Sequence, residues 1–278
     1  MSIALQVALV MVTILVVLLV IGAPIGVAIG MSSAVSMICM IPADVSFATS
    51  AQRIFAGSNS FSLIAIPFFI LAGNIMNNGG IATRLVNCAK VISGRMPGAL
   101  AQSNVVANML FGAISGSGAA AAAAMGGTIG PLEEKEGYDK NYSTAVNVAS
   151  APVGMLIPPS NTMIVYSSVA GSVSIAALFM AGYIPGLLWG GAVMILAGIM
   201  AKKRGYQAEQ RVPVKVALKT FWQAIPSLLL IVIVIGGILG GIFTATEGSA
   251  IAVVYATVLS LIYLSLIHIS EPTRLDVI

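Results

Sequence analysis

Long apolar stretches without a single charge constrain this chain more than any other feature. Most of them reach the roughly 20 residues that an α-helix needs to cross a hydrocarbon core of about 30 Å. The stretches are residues 3–21, 61–76, 182–201, 221–243 and 248–267. With 58% hydrophobic and 8% charged residues, the chain also lacks the polar surface of a water-soluble globule. The sequence therefore predicts an all-α polytopic membrane protein surrounded by a lipid bilayer.

Basic residues beside these stretches predict the topology. Between residues 202 and 219 the acid Glu209 is outnumbered by Lys202, Lys203, Arg204, Arg211, Lys215 and Lys219. The positive-inside rule places this loop in the cytoplasm and attributes the net charge of +4 to topology, so nucleic acid is not an expected partner. If the basic stretch from Arg84 to Arg95 is cytoplasmic as well, residues 97–130 enter and leave on one side, and the N-terminus lies outside.

A re-entrant helical hairpin fits residues 97–130. Its two apolar arms, residues 99–113 and 119–130, are too short to span comfortably, and a glycine-rich link joins them. The link consists of Ser115, Gly116, Ser117 and Gly118. Such a tip offers backbone carbonyls and hydroxyl groups to a hard cation such as Na⁺, or else forms a small-residue surface for close helix packing.

A discontinuous helix is predicted at residues 152–161. Pro158 and Pro159 lack backbone donors and end one half-helix before another begins at about Asn161. Taken alone, the pair of prolines is equally typical of a kink. Because backbone interruptions at membrane depth are tolerated where they line a cavity, the two interruptions together favour an ion and substrate site.

Other polar residues leave alternatives open. Asn104 and Asn108 share one helix face, where they contact either substrate or a neighbouring helix. Glu247 begins a late apolar stretch and favours a capping role over a buried functional acid. An aqueous loop is predicted at Glu133, Glu134, Lys135, Glu136, Asp139 and Lys140. An intramembrane hydrolase is the weaker alternative, since it would depend on the sole histidine, His268.

The two halves of the chain begin alike. A long apolar helix, an interruption and a second apolar segment occur around residues 22–26 and again around residues 241–248. Halves that start on opposite sides of the membrane are typical of the inverted repeats of secondary transporters.

Several segments in order resemble the large membrane subunit of tripartite ATP-independent periplasmic (TRAP) transporters. They are Ile66–Met76, Ala107–Ala120, Gly130–Glu133, Gly137–Tyr138, Leu156–Asn161 and Met163–Tyr166. The resemblance runs from residue 3 to about 264. One departure is Thr244–Ser249, which reads Thr-Ala-Thr-Glu-Gly-Ser where the family usually has Thr-Pro-Thr-Glu-Ala-Ala.

The resemblance implies an elevator-type, inverted-repeat permease of the bacterial inner membrane, without a cofactor other than Na⁺ as coupling ion. It implies import of small organic anions such as C4-dicarboxylates or sialic acid, with a periplasmic substrate-binding protein and a small membrane subunit as partners. A carboxylate transporter that needs no binding protein is the alternative. The implied ion and substrate residues are Ser115, Gly116, Ser117, Gly118, Gly154, Pro158, Ser160 and Asn161, with Na⁺ at Ser115, Ser117, Ser160 and Asn161.

The resemblance also implies a division of the chain into scaffold and transport regions. Residues 1–96 hold scaffold helices and an amphipathic connector, 97–181 the hairpin and broken helix of the first repeat, 182–219 a helix and the basic loop, and 220–264 the opening helices of a second repeat. Residues 265–278 are expected to be an artefactual tail, because residues 268–278 do not look like membrane sequence, whereas the family continues into a second hairpin. A chain with these boundaries is not expected to transport alone.

Overall fold

The computed structural model describes residues 3–171, 173–206, 208 and 213–270, with side chains as far as Tyr263. All regular structure within these ranges is helical, which confirms the all-α prediction. The chain forms two compact units, with the boundary between Ser60 and Phe61.

The first unit contains three consecutive helices, in which α2 packs on both α1 and α3. They are α1 (Ile3–Val20), α2 (Ile25–Ile38) and α3 (Ala43–Ser58). The predicted interruption after α1 is present, because Gly22 has a φ of +88° and Pro24 precedes the first residue of α2. None of the α1 side chains is buried within the described residues, as suits a helix bordered by lipid.

The second unit begins with a 3₁₀ turn at Phe61–Ile64 and continues with eleven α-helices in the described residues. They are α4 (Ala65–Asn78), α5 (Ile81–Ser93), α6 (Ala99–Ser115), α7 (Gly118–Thr128), α8 (Gly130–Lys135), α9 (Lys140–Ser150), α10 (Val153–Leu156), α11 (Asn161–Ala170), α12 (Ile175–Lys203), α13 (Val214–Leu239) and α14 (Ala245–Ser270). Helix α4 packs against α14 and α6, and α5 packs between α6 and α13. Phe69, Leu85 and Phe111 are fully buried where these helices meet.

Five helical segments in the described part of the chain are long and apolar enough to cross a membrane: Ile3–Val20, Phe61–Asn78, Ile175–Lys203, Val214–Leu239 and Ala245–Tyr263. They coincide with the five predicted stretches. A sixth candidate is the pair Lys140–Leu156 and Asn161–Ala170, which is bent by 48° at the prolines. Ile184, Leu188 and Ile195 on α12 are exposed, and such apolar surface is compatible with lipid.

Parts of the predicted loop and tail fall outside the described residues. Glu209 and Arg211 of the basic loop are among them, as are residues 271–278 and the side chain of His268. Helix α14 continues through Ser270, six residues beyond the predicted boundary at 264.

Candidate ion and substrate site

The two predicted interruptions lie against each other in the second unit. Helix α6 ends at Ser115, Gly116 adopts a φ of +61°, and α7 begins after Ser117. Helix α10 ends at Leu156, and α11 begins at Asn161, the predicted residue. The backbone amide of Asn161 donates to the Gly116 carbonyl oxygen at 3.3 Å, so the turn after α6 and the break before α11 are in direct contact.

Gly116 is required by the space as well as by its left-handed backbone. A Cβ atom at this residue would lie 3.0 Å from the Pro159 carbonyl oxygen and 3.2 Å from both the backbone nitrogen and the side-chain Cγ of Asn161. Any larger residue would therefore push the turn away from the break.

Gly154 lies behind the same contact and serves a packing role. A Cβ atom on Gly154 would be 2.4 Å from the Cα of Gly112, so the backbones of α10 and α6 touch directly. Gly118 is similarly close to Met155, whose Sδ would be 2.8 Å from an added Cβ. These glycines let four helix ends approach one another.

The hydroxyl groups of the site are partly occupied by helix capping. Ser117 Oγ accepts from the Ala120 amide at 3.3 Å, and Ser160 Oγ accepts from the Met163 amide at 3.4 Å. Ser160 also donates to the carbonyl oxygen of Met155. Each serine is thus the N-cap of a half-helix, and such an oxygen retains capacity for a further partner.

Other oxygen atoms at the contact are less committed. The Ser115 hydroxyl lies 3.4 Å from both the backbone nitrogen and the carbonyl oxygen of Ser117, which is a weak pair of contacts. The Asn161 Oδ1 atom is buried without a hydrogen-bond partner among the described residues, while its Nδ2 lies 3.5 Å from the Ser115 carbonyl oxygen. A buried amide oxygen without a donor is a suitable ligand for a hard cation.

The electrostatics of the contact suit ligands of both signs. The carbonyl ends of α6 and α10 carry partial negative charge, whereas the amide ends of α7 and α11 carry partial positive charge. Pro158 and Pro159 between them are buried and add carbonyl groups without amide donors. Such an arrangement suits a cation and a carboxylate together without using a charged side chain.

Asn104 and Asn108 are both buried, and α9 faces them. The Asn108 Nδ2 atom lies 2.9 Å from Asn104 Oδ1, 3.0 Å from Asn147 Oδ1 and 2.8 Å from Ser150 Oγ. Asn108 thus bonds a neighbouring helix, one of the two predicted alternatives. Contact with substrate stays a prediction for both asparagines, and the sequence did not single out Asn147 or Ser150.

Glu133 contradicts the predicted aqueous loop. Its side chain is 1% exposed and turns inward from α8, while its neighbours Glu134 and Glu136 are exposed. Burial raises the pKa of Glu133 from 4.5 to about 7, and the nearby Ser143 and Asn104 side chains partly oppose this rise. No local pattern in the sequence distinguishes Glu133 from its exposed neighbours Glu134 and Glu136.

Glu247 has the capping role that the sequence favoured. Its Oε2 atom accepts from the Thr244 backbone amide at 2.7 Å and from the Thr244 hydroxyl at 2.9 Å. The Thr244 hydroxyl in turn accepts from the Glu247 amide at 3.3 Å, which completes a capping box at the start of α14.

Comparison with known proteins gives a family match over residues 12–274, to the family described as "Tripartite ATP-independent periplasmic transporter, DctM component". Among curated proteins, the uncharacterized protein YgiK of Salmonella typhimurium is 54% identical over 232 residues, covering 84% of this chain and 53% of YgiK.

Two relatives from Vibrio cholerae carry transport names. The C4-dicarboxylate TRAP transporter large permease protein DctM is 42% identical over 215 residues, which are 77% of this chain and 47% of that protein. The sialic acid TRAP transporter large permease protein SiaM is 40% identical over 211 residues, which are 74% and 48% respectively. The chain therefore spans about half the length of the curated relatives it matches.

Proposed function

The chain belongs to the DctM component family of tripartite ATP-independent periplasmic transporters, and we propose that it forms the first part of a Na⁺-driven permease for small organic anions. Membership of this family also removes the intramembrane hydrolase alternative. The observation that carries the proposal is the contact between the hairpin turn and the helix break, where Asn161 bonds Gly116 beside an unpartnered buried amide oxygen.

Na⁺ is the proposed coupling ion, bound by oxygen atoms at this contact. Ser115, Ser117, Ser160 and Asn161 supply side-chain oxygens, and the carbonyl ends of α6 and α10 supply backbone oxygens. The amide ends of α7 and α11 attract the carboxylate of the substrate. Asn104 and Asn108 are candidate substrate-facing residues. The relatives' names support a carboxylate such as a C4-dicarboxylate or sialic acid.

The membrane arrangement is proposed from charge and helix length. Lys202 and Lys203 end α12, so that end faces the cytoplasm of a bacterial inner membrane and the N-terminus faces the periplasm. Helices α6 and α7 then form the re-entrant hairpin, and residues 97–181 move as an elevator against scaffold helices. Repetition of the helix, interruption and helix pattern at α13 and α14 supports an inverted repeat.

The proposed partners are a periplasmic substrate-binding protein and a small membrane subunit. Their requirement separates this proposal from a carboxylate transporter that works without a binding protein. Uptake into proteoliposomes containing the complete permease should depend on added binding protein. Equal uptake without it would favour the alternative.

The ion site is tested by Asn161→Ala in the complete transporter. Loss of the amide oxygen should raise the Na⁺ concentration for half-maximal uptake severalfold, because one ligand is removed from the ion. Asn77→Ala is the matched control, since Asn77 is exposed on α4. Unchanged Na⁺ dependence in both Asn161→Ala and Ser117→Ala would refute the site assignment.

A further inference from the structure

A second polar centre surrounds the Glu133 side chain and shares no residue with the proposed Na⁺ ligands. A cavity of about 330 Å³ is lined by Asn104, Glu133, Ser143 and Asn147, and its wall also includes the exposed Glu134 and Lys140. The exposed wall gives aqueous ions a route to the buried carboxyl group.

Four buried polar atoms at this cavity lack hydrogen-bond partners among the described residues. They are both carboxylate oxygens of Glu133, Asn104 Nδ2 and Ser143 Oγ. Ser143 and Asn104 are the donors nearest the Glu133 carboxylate and partly oppose the rise in its pKa, but burial outweighs them. Buried polar groups that are paired this weakly indicate a site that can change protonation.

The donors and acceptors at this cavity favour a proton over a metal cation as the ligand. Asn104 Nδ2 can only donate, so it would oppose a bare metal cation beside the carboxylate. Asn104 Oδ1 and Asn147 Oδ1 already lie near the Asn108 amide nitrogen. A proton needs only one carboxylate oxygen and leaves the other to accept from Asn104, so it suits this mixture of groups without any further ligand.

The charges around Glu133 do not supply a counter-ion. Helices α6 and α7, which pack against α8, contain no titratable side chain in their sequences. The remaining titratable groups of α8, the following turn and α9 are Glu134, Lys135, Glu136, Tyr138, Asp139, Lys140 and Tyr142. In the part of the chain that the structure describes, the observed salt bridge joins Arg204 to Asp139 at 3.2 Å and leaves Glu133 unpaired.

We propose that Glu133 is a proton-binding site that is open to the cytoplasm, and that its protonation keeps α8 packed against α6 and α9. The cytoplasmic side follows from the link to α12, because Arg204 beyond its basic end pairs with Asp139, and Tyr206 Oη accepts from the Asp139 amide at 2.8 Å. The effect on uptake rests on the proposed function, whereas proton binding itself does not.

Ionisation of Glu133 should weaken the packing of α8 against α6 and α9. A buried carboxylate without a counter-ion among the described residues is costly even with Ser143 and Asn104 nearby, because burial is the largest cause of its raised pKa. The ionised form therefore favours movement of α8 towards water. Because burial raises the pKa of Glu133 to about 7, the change falls within the physiological range. Uptake should therefore decrease as cytoplasmic pH rises, since α6, α7 and α9 then lose a packed neighbour.

Proton binding is tested directly by labelling the purified transporter with dicyclohexylcarbodiimide, which modifies protonated carboxyl groups in apolar surroundings. Mass spectrometry should show Glu133 labelling that declines with a midpoint near pH 7. The exposed Glu134 is the internal control, because its carboxyl group lies in water rather than in apolar surroundings and should be labelled only weakly. Labelling of Glu133 that follows the Glu134 profile, or no labelling of Glu133, would overturn the proposal.

The transport arm compares Glu133→Gln with Glu134→Gln in proteoliposomes whose internal and external pH are set separately. Wild-type uptake should fall up to about tenfold between pH 6 and pH 8, as the protonated fraction does for a group that titrates at 7. Glu133→Gln should retain uptake and lose this dependence at unchanged Na⁺ requirement, while Glu134→Gln should behave as wild type.

Two results of the transport arm would contradict the proposal: a wild-type pH profile in Glu133→Gln, or loss of its uptake at normal thermal stability. Absence of uptake in the wild type would instead count against the proposed function, and the labelling result would still decide whether Glu133 binds a proton.

Discussion

Two regions of the molecule differ in the source of their polar atoms: the contact between the two helix breaks, and the cavity at Glu133. At the contact, oxygens come from backbone carbonyls, serines and Asn161, and the residues that form it carry no formal charge. At the cavity, one carboxyl group is buried on a short helix beside orphaned donors. The first arrangement suits the proposed binding and release of an ion, whereas we expect the second to respond to pH.

The difference also concerns which atoms hold each region together. The backbones of Gly112 and Gly154 touch beside the helix breaks, so close packing of backbone against backbone stabilises this shape-determined region. Side-chain amides support the cavity, so hydrogen bonding determines it. Asn104 and Asn108 connect the two, because both lie on α6, which ends at the hairpin turn.

The strongest test of the shape-determined region is Gly154→Ala. Its Cβ would lie 2.4 Å from the Cα of Gly112, and neither backbone can yield without moving α6 or α10. We expect a loss of about 3 kcal/mol or more in unfolding free energy, together with loss of uptake. Thermal unfolding of the purified protein measures the first effect.

Gly127→Ala is the control for this substitution, since nothing lies within 4 Å of a Cβ atom there. It should be neutral or slightly stabilising, because alanine is the better helix former. Equal stability of the two variants would show that the close backbone approach of α6 and α10 is unnecessary.

The cavity is tested by the pH dependence of stability in Glu133→Gln. The folded-state pKa of about 7 exceeds the reference value of 4.5, so the folded state binds more protons between these values. Wild-type stability should fall as pH rises from about 4.5 to 7 and stay low above it, by up to about 3 kcal/mol.

Glutamine cannot ionise, so the variant should exceed the wild type in stability at pH 8 and lose this advantage near pH 4.5. Melting temperatures across this range measure the difference. A constant difference at all pH values would mean that the carboxyl group is solvated in the folded protein.

The link between the regions is tested by Asn108→Ala. Removing its amide leaves Asn147 Oδ1 and Ser150 Oγ without this neighbour, and we expect a cost of about 2 kcal/mol in the free energy of unfolding. Asn141→Ala, an exposed asparagine on α9, should have no effect. A raised KM with normal stability would instead identify Asn108 as a substrate contact.

The sequence predicted the shape-determined region better than the hydrogen-bonded one. Glycines and prolines dictate local backbone geometry, so the turn at Gly116 and the start of α11 at Asn161 could be placed from residue types alone. Their closeness to each other was implied by the family resemblance rather than by any local pattern.

Burial of Glu133 depends instead on how α8 sits on α6 and α9, which no local pattern specifies. Its neighbours Glu134, Lys135 and Glu136 are exposed, and the sequence does not show which acid of such a charged group is buried. The hydrogen-bond partners of Asn108 could not be predicted from the sequence for the same reason, since Ser150 lies 42 residues away along the chain.

The smallest expected effect separates capping from ion binding at Ser117. Ser117→Ala removes the cap of α7 and should cost about 1 kcal/mol of stability. Ser174→Ala removes the equivalent cap of α12, where Ser174 Oγ accepts from Ala177 at 3.4 Å, and should cost about the same. Because Ser117 alone lies at the contact between the helix breaks, only its replacement should raise the Na⁺ concentration for half-maximal uptake. If both variants change Na⁺ dependence equally, or neither does, the Ser117 hydroxyl is a cap and the ion is held by other oxygens.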